Sequence, residues 1–386
     1  MTTRTFIAKI YAFRFFDDFI LIYPLYAVMF SDYRLSVFQI SVLFFAWSLT
    51  AFVLEIPSGV LADKYSRKYI LIIAQALRAI GYGLWLFFPG FWGFLLGFVL
   101  WGIKSALTSG TFEALVYDEL KQSEEQRRYA KIIGRAESLG LIAIVLAELS
   151  ASALSHNGYT LILWLSIAAV ILSGLSIALL PSAKKIESTE ETNYMAHLKQ
   201  GLALIKNNSL ILKLVLFSGL GLSVGAVDEF YGLFFKDLGL NNAQISLWIA
   251  VGSAAGIAGS LVAYRFEKIS TNKLVGSLVI LGGVLLVASL SKVPIAPIAI
   301  AVFTLLYQLI KVIFDAKLQH AIEDRTRATV LSVQGFLSET GALSVFLLFG
   351  LISQLSSNAS ALAVFGVSLV LLALLYKLTT FRRVAR

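Results

Sequence analysis

The sequence predicts an all-α integral membrane protein with twelve transmembrane helices in two six-helix halves. Three observations carry this. Of the 386 residues, 58% are hydrophobic and only 14% charged, too apolar for an ordinary soluble domain. The apolar residues gather into unbroken runs of about 20, the length a helix needs to cross a bilayer. A transmembrane barrel would instead show alternating strands of roughly ten residues. Finally, Lys and Arg fall almost entirely on one side of the runs. With the N-terminus inside, twenty-two of them lie in inner segments, against Arg34, Lys236 and Lys292 outside. That bias supports an even number of spans with both termini cytoplasmic.

In order, the runs place helices near 6–30, 37–57, 69–88, 91–116, 131–154 and 159–180. A second set follows near 209–232, 243–264, 274–291, 295–318, 329–353 and 359–379. The N-terminal stretch has no small-residue cleavage pattern and reads as the start of the first helix rather than a signal peptide. Residues 1–180 and 209–386 are the expected bundles. Residues 181–208 are the expected cytoplasmic linker, where Tyr194, Leu198, Leu202 and Ile205 recur at helical spacing. That fits a short amphipathic helix on the inner membrane surface; a solvated tether fits equally.

The halves echo each other at an offset of roughly 200 residues, the pattern of a rocking carrier with a central site. Glu113-Ala114 has a counterpart in Asp315-Ala316, and Glu137-Ser138-Leu139-Gly140 in Ser338-Glu339-Thr340-Gly341. Gly252, Gly256 and Gly259 form a small-residue packing face on helix eight.

Several function classes are disfavoured. The chain has no cysteine and only three histidines, at 156, 197 and 320, so no metal site is expected. No phosphate-binding Gly-x-x-x-x-Gly-Lys-Ser/Thr loop occurs, and "GIKS" at 102–105 is too short to count. Neither a catalytic triad nor a metalloprotease motif emerges, so the chain is not read as an enzyme. The net charge of +9 is a topology signal, and no nucleic-acid partner is expected.

"GVLADKYSRKYIL", residues 59–71, resembles the loop signature of the major facilitator superfamily, Gly-x-Leu-Ala-Asp-x-x-Gly-Arg-Lys. Gly59, Leu61, Ala62, Asp63, Arg67 and Lys68 match; Ser66 replaces a glycine. The motif follows the second span, where the family carries it, and the two-half layout extends the resemblance over nearly the whole chain. Gly59 permits close helix approach, and Asp63 suits a helix N-terminus. The resemblance implies that this partner is helix eleven of the other half. Arg67 needs an acid, for which Asp118 or Glu119 is available. Gly59, Asp63, Arg67, Lys68, Asp118 and Glu119 are expected to latch the inner face. The counterpart "GSLVAYRFEK" has Ala263 where the acid would be, so the second latch reads as degenerate.

Two signatures of the superfamily's proton-driven drug exporters are missing. Phe98 stands where their fourth helix has an arginine, with Lys104 lower down, and "IIGRAESLGLIAIVLAEL" lacks the proline of their fifth helix. Sugar-transporter signatures are not evident either.

Charges inside the membrane cost at least about 2.5 kcal/mol each on insertion scales and usually face the bundle interior. In "AFRFFDDFILIYPLY", residues 12–26, Arg14 and Asp18 are four apart and are expected to pair. Asp17 points about 100° away from Asp18 and is either hydrogen-bonded to another helix or a protonation site. Asp228-Glu229-Phe230 echoes Asp17-Asp18-Phe19 in the seventh helix. Asp17 and Asp228 are the leading proton-site candidates, with Glu229 and Glu55 in reserve. Lys311 and Asp315 are expected to form a local pair. With Arg14, Asp18 and Glu113 they are candidates for the substrate cavity, as are the mid-helix aromatics Tyr23, Tyr26, Trp101 and Tyr307.

The expected protein is a secondary transporter of a small organic solute in a bacterial inner membrane, working as a monomer by alternating access. No cofactor is expected beyond the proton as coupling ion. Proton-coupled efflux (antiport) of an amphipathic compound is the first reading. Proton-coupled uptake (symport) or facilitated transport of a polar metabolite or iron-chelating compound is the alternative. A membrane receptor or scaffold would call for long soluble loops, and a lipid translocase for a lateral polar groove.

Overall fold

A computed structural model describes residues 3–180, 205, 208–322 and 327–384. Nearly all of the expected linker, with its amphipathic helix, lies outside the described residues. The chain divides into two compact units, Met1–Glu190 with Leu240–Ala250 and Glu191–Gly239 with Val251–Arg386. The stretch Leu240–Ala250 therefore groups with the first unit. Ser152 Oγ donates to the Ala243 carbonyl (2.7 Å) and Asn242 Nδ2 to the Tyr159 hydroxyl (3.0 Å), which ties it there.

The first unit is built from α1 (Thr3–Asp18), α2 (Tyr26–Asp32), α3 (Val37–Lys64), α4 (Arg67–Phe87), α5 (Phe91–Thr108), α6 (Thr111–Gln122), α7 (Tyr129–Leu154) and α8 (Tyr159–Ala178). Eleven segments of the described chain are long and apolar enough to span a membrane. The exception is the first span, expected as one helix over 6–30. It breaks after Asp18 and resumes at Tyr26, and between them Pro24 lacks an amide donor and disfavours helical backbone at Tyr23. Side chains take up the freed backbone groups, as a lipid setting requires. Arg78 donates to the Asp17 carbonyl (2.8 Å), and the Ile22 amide donates to Ser166 Oγ (3.1 Å). The fourth span also breaks, at Gly110, whose φ of +67° is left-handed and suits glycine. The helix α3 begins at a capping box, in which Ser36 Oγ accepts from the Gln39 amide and Gln39 Oε1 from the Ser36 amide. It continues through Pro57 to Lys64, beyond its expected end.

The second unit holds α9 (Ser209–Leu216), α10 (Tyr231–Asp237), α11 (Asn242–Val262, shared with the first unit), α12 (Thr271–Leu290), α13 (Ile295–Ala321), α14 (Arg327–Leu355) and α15 (Asn358–Val384). Its first span is irregular as well. Between α9 and α10 the chain winds as a π turn over Phe217–Gly221 and a 3-10 helix over Leu222–Phe230. No proline causes this. Gly219, Gly221 and Gly225 weaken the α-helix there, and the Tyr307 hydroxyl donates to the Leu222 carbonyl (2.8 Å).

The internal repeat reappears as one pairing scheme used twice. In the first unit α1 packs on α7, α3 on α5, and α4 on both α5 and α8. In the second, the π and 3-10 segments pack on α14, and α12 packs on α13 and α15. The glycine face of α11 lies on α13: a Cβ at Gly256 would stand 3.2 Å from Thr304 and Gln308. Tyr376 is buried and donates to Asn272 Oδ1 (2.5 Å). Trp92 and Trp164 are exposed.

Candidate functional site

In the first unit, charge collects around the end of α1. The Asp17 carboxylate is buried and accepts from three donors on two other helices: Gln75 (2.8 Å) and Arg78 (2.9 Å) on α4, and Lys104 (3.1 Å) on α5. Gln75 and Arg78 are three apart, so one face of α4 presents both. Arg78 is only 1% exposed. It also donates to the hydroxyls of Tyr82 (3.1 Å) and Tyr23. Its guanidinium carbon lies 5.4, 5.7 and 5.3 Å from the ring centroids of Tyr23, Tyr82 and Trp101. Aromatic faces and a carboxylate thus replace the water this cation lost.

Asp18, next in sequence, takes a separate partner. Arg14 pairs with it at 3.2 Å and with Glu137 of α7 at 2.8 Å. The expected local pair forms and is extended by a third group. Gly140 makes room for it: a Cβ there would collide with the Asp18 carboxylate and stand 3.0 Å from Arg14 Nε. Across both clusters the carboxylates of Asp17, Asp18 and Glu137 balance Arg14, Arg78 and Lys104.

A cavity of about 480 Å³ adjoins this network, lined by Arg14, Asp17, Asp18, Lys104 and Glu113 together with hydroxyls of the α5–α6 break. Tyr26 and Trp101 do not line it. Both are buried in an aromatic cluster with Trp85 and Phe98, where Trp101 stacks on Tyr23 at 5.3 Å and on Phe98 at 5.5 Å.

The second unit has its own cavity, of about 430 Å³, lined by Ser218 of the π turn, by Tyr307, Lys311 and Asp315 of α13, and by Gln334 and Ser338 of α14. Residues 307, 311 and 315 recur every four residues and so share a face. The expected Lys311–Asp315 pair does not form. Among the described residues neither has an ion-pair partner within 4 Å. Lys311 is exposed and lines the cavity, where hydration competes with a pair. Asp228 is exposed and Glu229 half-buried, and neither has an ion-pair partner among the described residues.

At the loop motif Arg67 pairs with Asp118, not Glu119, and Lys68 donates to the Leu180 carbonyl. Asp63 and Glu55 are exposed. Gly59 makes no close helix approach, since nothing lies within 4 Å of where its Cβ would stand.

Sequence reasoning left Arg78, Lys104 and Gln75 out of the candidate site. The signal for two of them was present, because buried charges must balance. Their partner could not be read, because Asp17 lies 61 residues from Arg78 and 87 from Lys104.

Two six-helix repeats, each opening with an interrupted helix, define a membrane carrier fold. The sequence profile of the Major Facilitator Superfamily matches residues 8–346, and the chain belongs to that family. It is similar to an uncharacterized MFS-type transporter of Bacillus subtilis (strain 168), YxaM, with 22% identity over 244 residues, 60% of this chain. The match spans 58% of that relative's length. Among solved structures, the nucleoside transporter NupG superposes with a TM-score of 0.75 at 13% identity, covering 97% of this chain and 98% of that one. A D-xylose-proton symporter gives 0.69 at 16% identity, covering 96% of each chain. A bacterial homolog of the human lysosomal transporter Spinster gives 0.70 at 15% identity, covering 97% and 95%. At such identities these likenesses speak to fold alone.

Proposed function

We propose that this chain is a secondary transporter that moves a small polar solute across a bacterial cytoplasmic membrane by alternating access, coupled to protons. One observation carries the reading: each unit holds a polar, charge-lined cavity beside the interrupted first helix of its repeat. Helix interruptions that line cavities are a recurring device of substrate and ion sites in membrane carriers. The charged linings, with Tyr26 and Trp101 packed away, favour a polar solute over the amphipathic compound of the first reading. The nucleoside and xylose carriers of similar fold also handle polar solutes.

Asp228 and Glu229 are the proton sites in this reading. Neither forms an ion pair within 4 Å among the described residues, so gaining a proton breaks none. Asp17 would have to leave two cations in order to accept one, and serves as the anchor of its unit. The ion pair of Arg67 and Asp118, beside Asp63 and Lys68, is the conformational latch. Direction follows the sign of the coupling and is read by experiment.

The test is uptake into sealed proteoliposomes under an imposed pH gradient, across nucleosides, pentoses, amino acids and dipeptides. Accumulation with the interior alkaline indicates symport, and with the interior acidic, antiport. The expected result for Asp228→Asn combined with Glu229→Gln is loss of gradient-driven accumulation with solute exchange retained. Full accumulation in that double variant removes both acids from the coupling mechanism.

A further inference from the structure

The cavity of the second unit contains two opposite charges held apart. Lys311 and Asp315 are one turn apart on α13, about 6 Å along the axis. At this spacing Arg14 and Asp18 do pair, yet Lys311 and Asp315 form no pair and both line the cavity. Glu339, on the opposite wall, is already engaged with another group. A third group points to a ligand independently: Ser218 is 4% exposed, lines the same cavity, and its hydroxyl has no hydrogen-bond partner. It sits on the π turn, a distortion frequent at functional sites. The nearby Tyr307 hydroxyl donates to the Leu222 carbonyl, so it stiffens the wall, and Ser218 is left as a hydroxyl able to bond a ligand.

We infer that this cavity binds a small zwitterion, whose anionic end meets Lys311, whose cationic end meets Asp315, and whose middle is hydrogen-bonded by Ser218. An uncharged polyol would leave both charges uncompensated on closure, and a singly charged solute would leave one; a withdrawn, unpaired charge is costly. A zwitterion satisfies both. The spacing favours separated charges, as in an ω-amino acid or a dipeptide. The inference rests on the transport reading for the claim that this ligand is carried, and on the cavity alone for the claim that it binds.

Binding is tested on the purified full-length chain in detergent by thermal unfolding, followed through tryptophan fluorescence. The probes are 4-aminobutyrate and glycylglycine, with butyrate, butylamine, uridine and xylose as one-charge and uncharged comparisons. The zwitterions are expected to raise the melting temperature more than the comparisons. Lys311→Gln and Asp315→Asn should each weaken their apparent affinity about tenfold, the loss that follows leaving a charged group unpaired. The exchanged double variant, Lys311→Asp with Asp315→Lys, keeps both charges and should recover zwitterion binding, which separates a binding loss from misfolding. Equal stabilisation by uridine, xylose or a singly charged probe overturns the inference, as does no stabilisation by either zwitterion. Zwitterion binding without gradient-driven flux of any solute would sink the transport reading and leave this one standing. Flux of uridine or xylose without zwitterion binding would do the reverse.

Discussion

Asp17-Asp18-Phe19 and Asp228-Glu229-Phe230 occupy matching places in the two repeats, each on an interrupted first span, yet their surroundings are opposite. Asp17 is enclosed by Arg78, Lys104 and Gln75, and Asp18 is held by Arg14. Asp228 and Glu229 have no ion-pair partner among the described residues. The same acidic motif thus anchors one unit and leaves chargeable groups accessible in the other. What separates the roles is the content of the neighbouring helices, since among the described residues only α4 and α5 bring buried cations to the motif.

The largest expected effect tests that contrast directly. Arg78→Met leaves the buried Asp17 carboxylate with Lys104 as its one cation and Gln75 as its other donor, and Asp17→Asn leaves Arg78 and Lys104 without their carboxylate. Each should cost about 3–5 kcal/mol of stability, as breaking a buried pair does, whereas Asp228→Asn should stay within about 0.5 kcal/mol. Unfolding of the purified variants in detergent measures this; similar losses for Asp17→Asn and Asp228→Asn would erase the distinction.

A smaller effect sharpens the account of how the first unit holds its ions. Gly140→Ala overpacks the Arg14–Asp18 pair and should cost about 1–3 kcal/mol. Gly134→Ala, on the same helix with nothing within 4 Å of its Cβ, should stabilise by about 1 kcal/mol through helix propensity. Opposite signs are expected, and like signs would show that the ion pair does not depend on this close approach. The smallest effect belongs to the rim of the network. The Glu137 side chain is 43% exposed, so Glu137→Gln should cost less than about 1 kcal/mol; a loss as large as that of Asp17→Asn would move Glu137 into the buried core of the network.

Much of this fold was legible beforehand because lipid imposes a simple rule: apolar runs of sufficient length become helices. Among the described residues, eleven of the twelve expected spans emerge near their expected places, and the echo at Gly140 and Gly341 marks equivalent packing positions. Gly140 abuts Asp18, and a Cβ at Gly341 would collide with the Ser223 side chain. Pro24 carried a readable warning of the break in the first span that hydropathy alone passed over.

Pair identity was less legible. Arg14–Asp18 and Lys311–Asp315 share a spacing, and only the first pair forms. Both pairs border a cavity, but a third group, Glu137, holds Arg14 in place, and Lys311 has no such acid within 4 Å among the described residues. Sequence by itself determined the membrane-spanning helices, their repeat and the need for buried charges to balance, because each follows from local composition and the free energy of leaving water. Only tertiary structure decided which acid meets which cation, since that depends on side chains many residues apart converging within about 3 Å, a distance at which an ion pair either forms or does not.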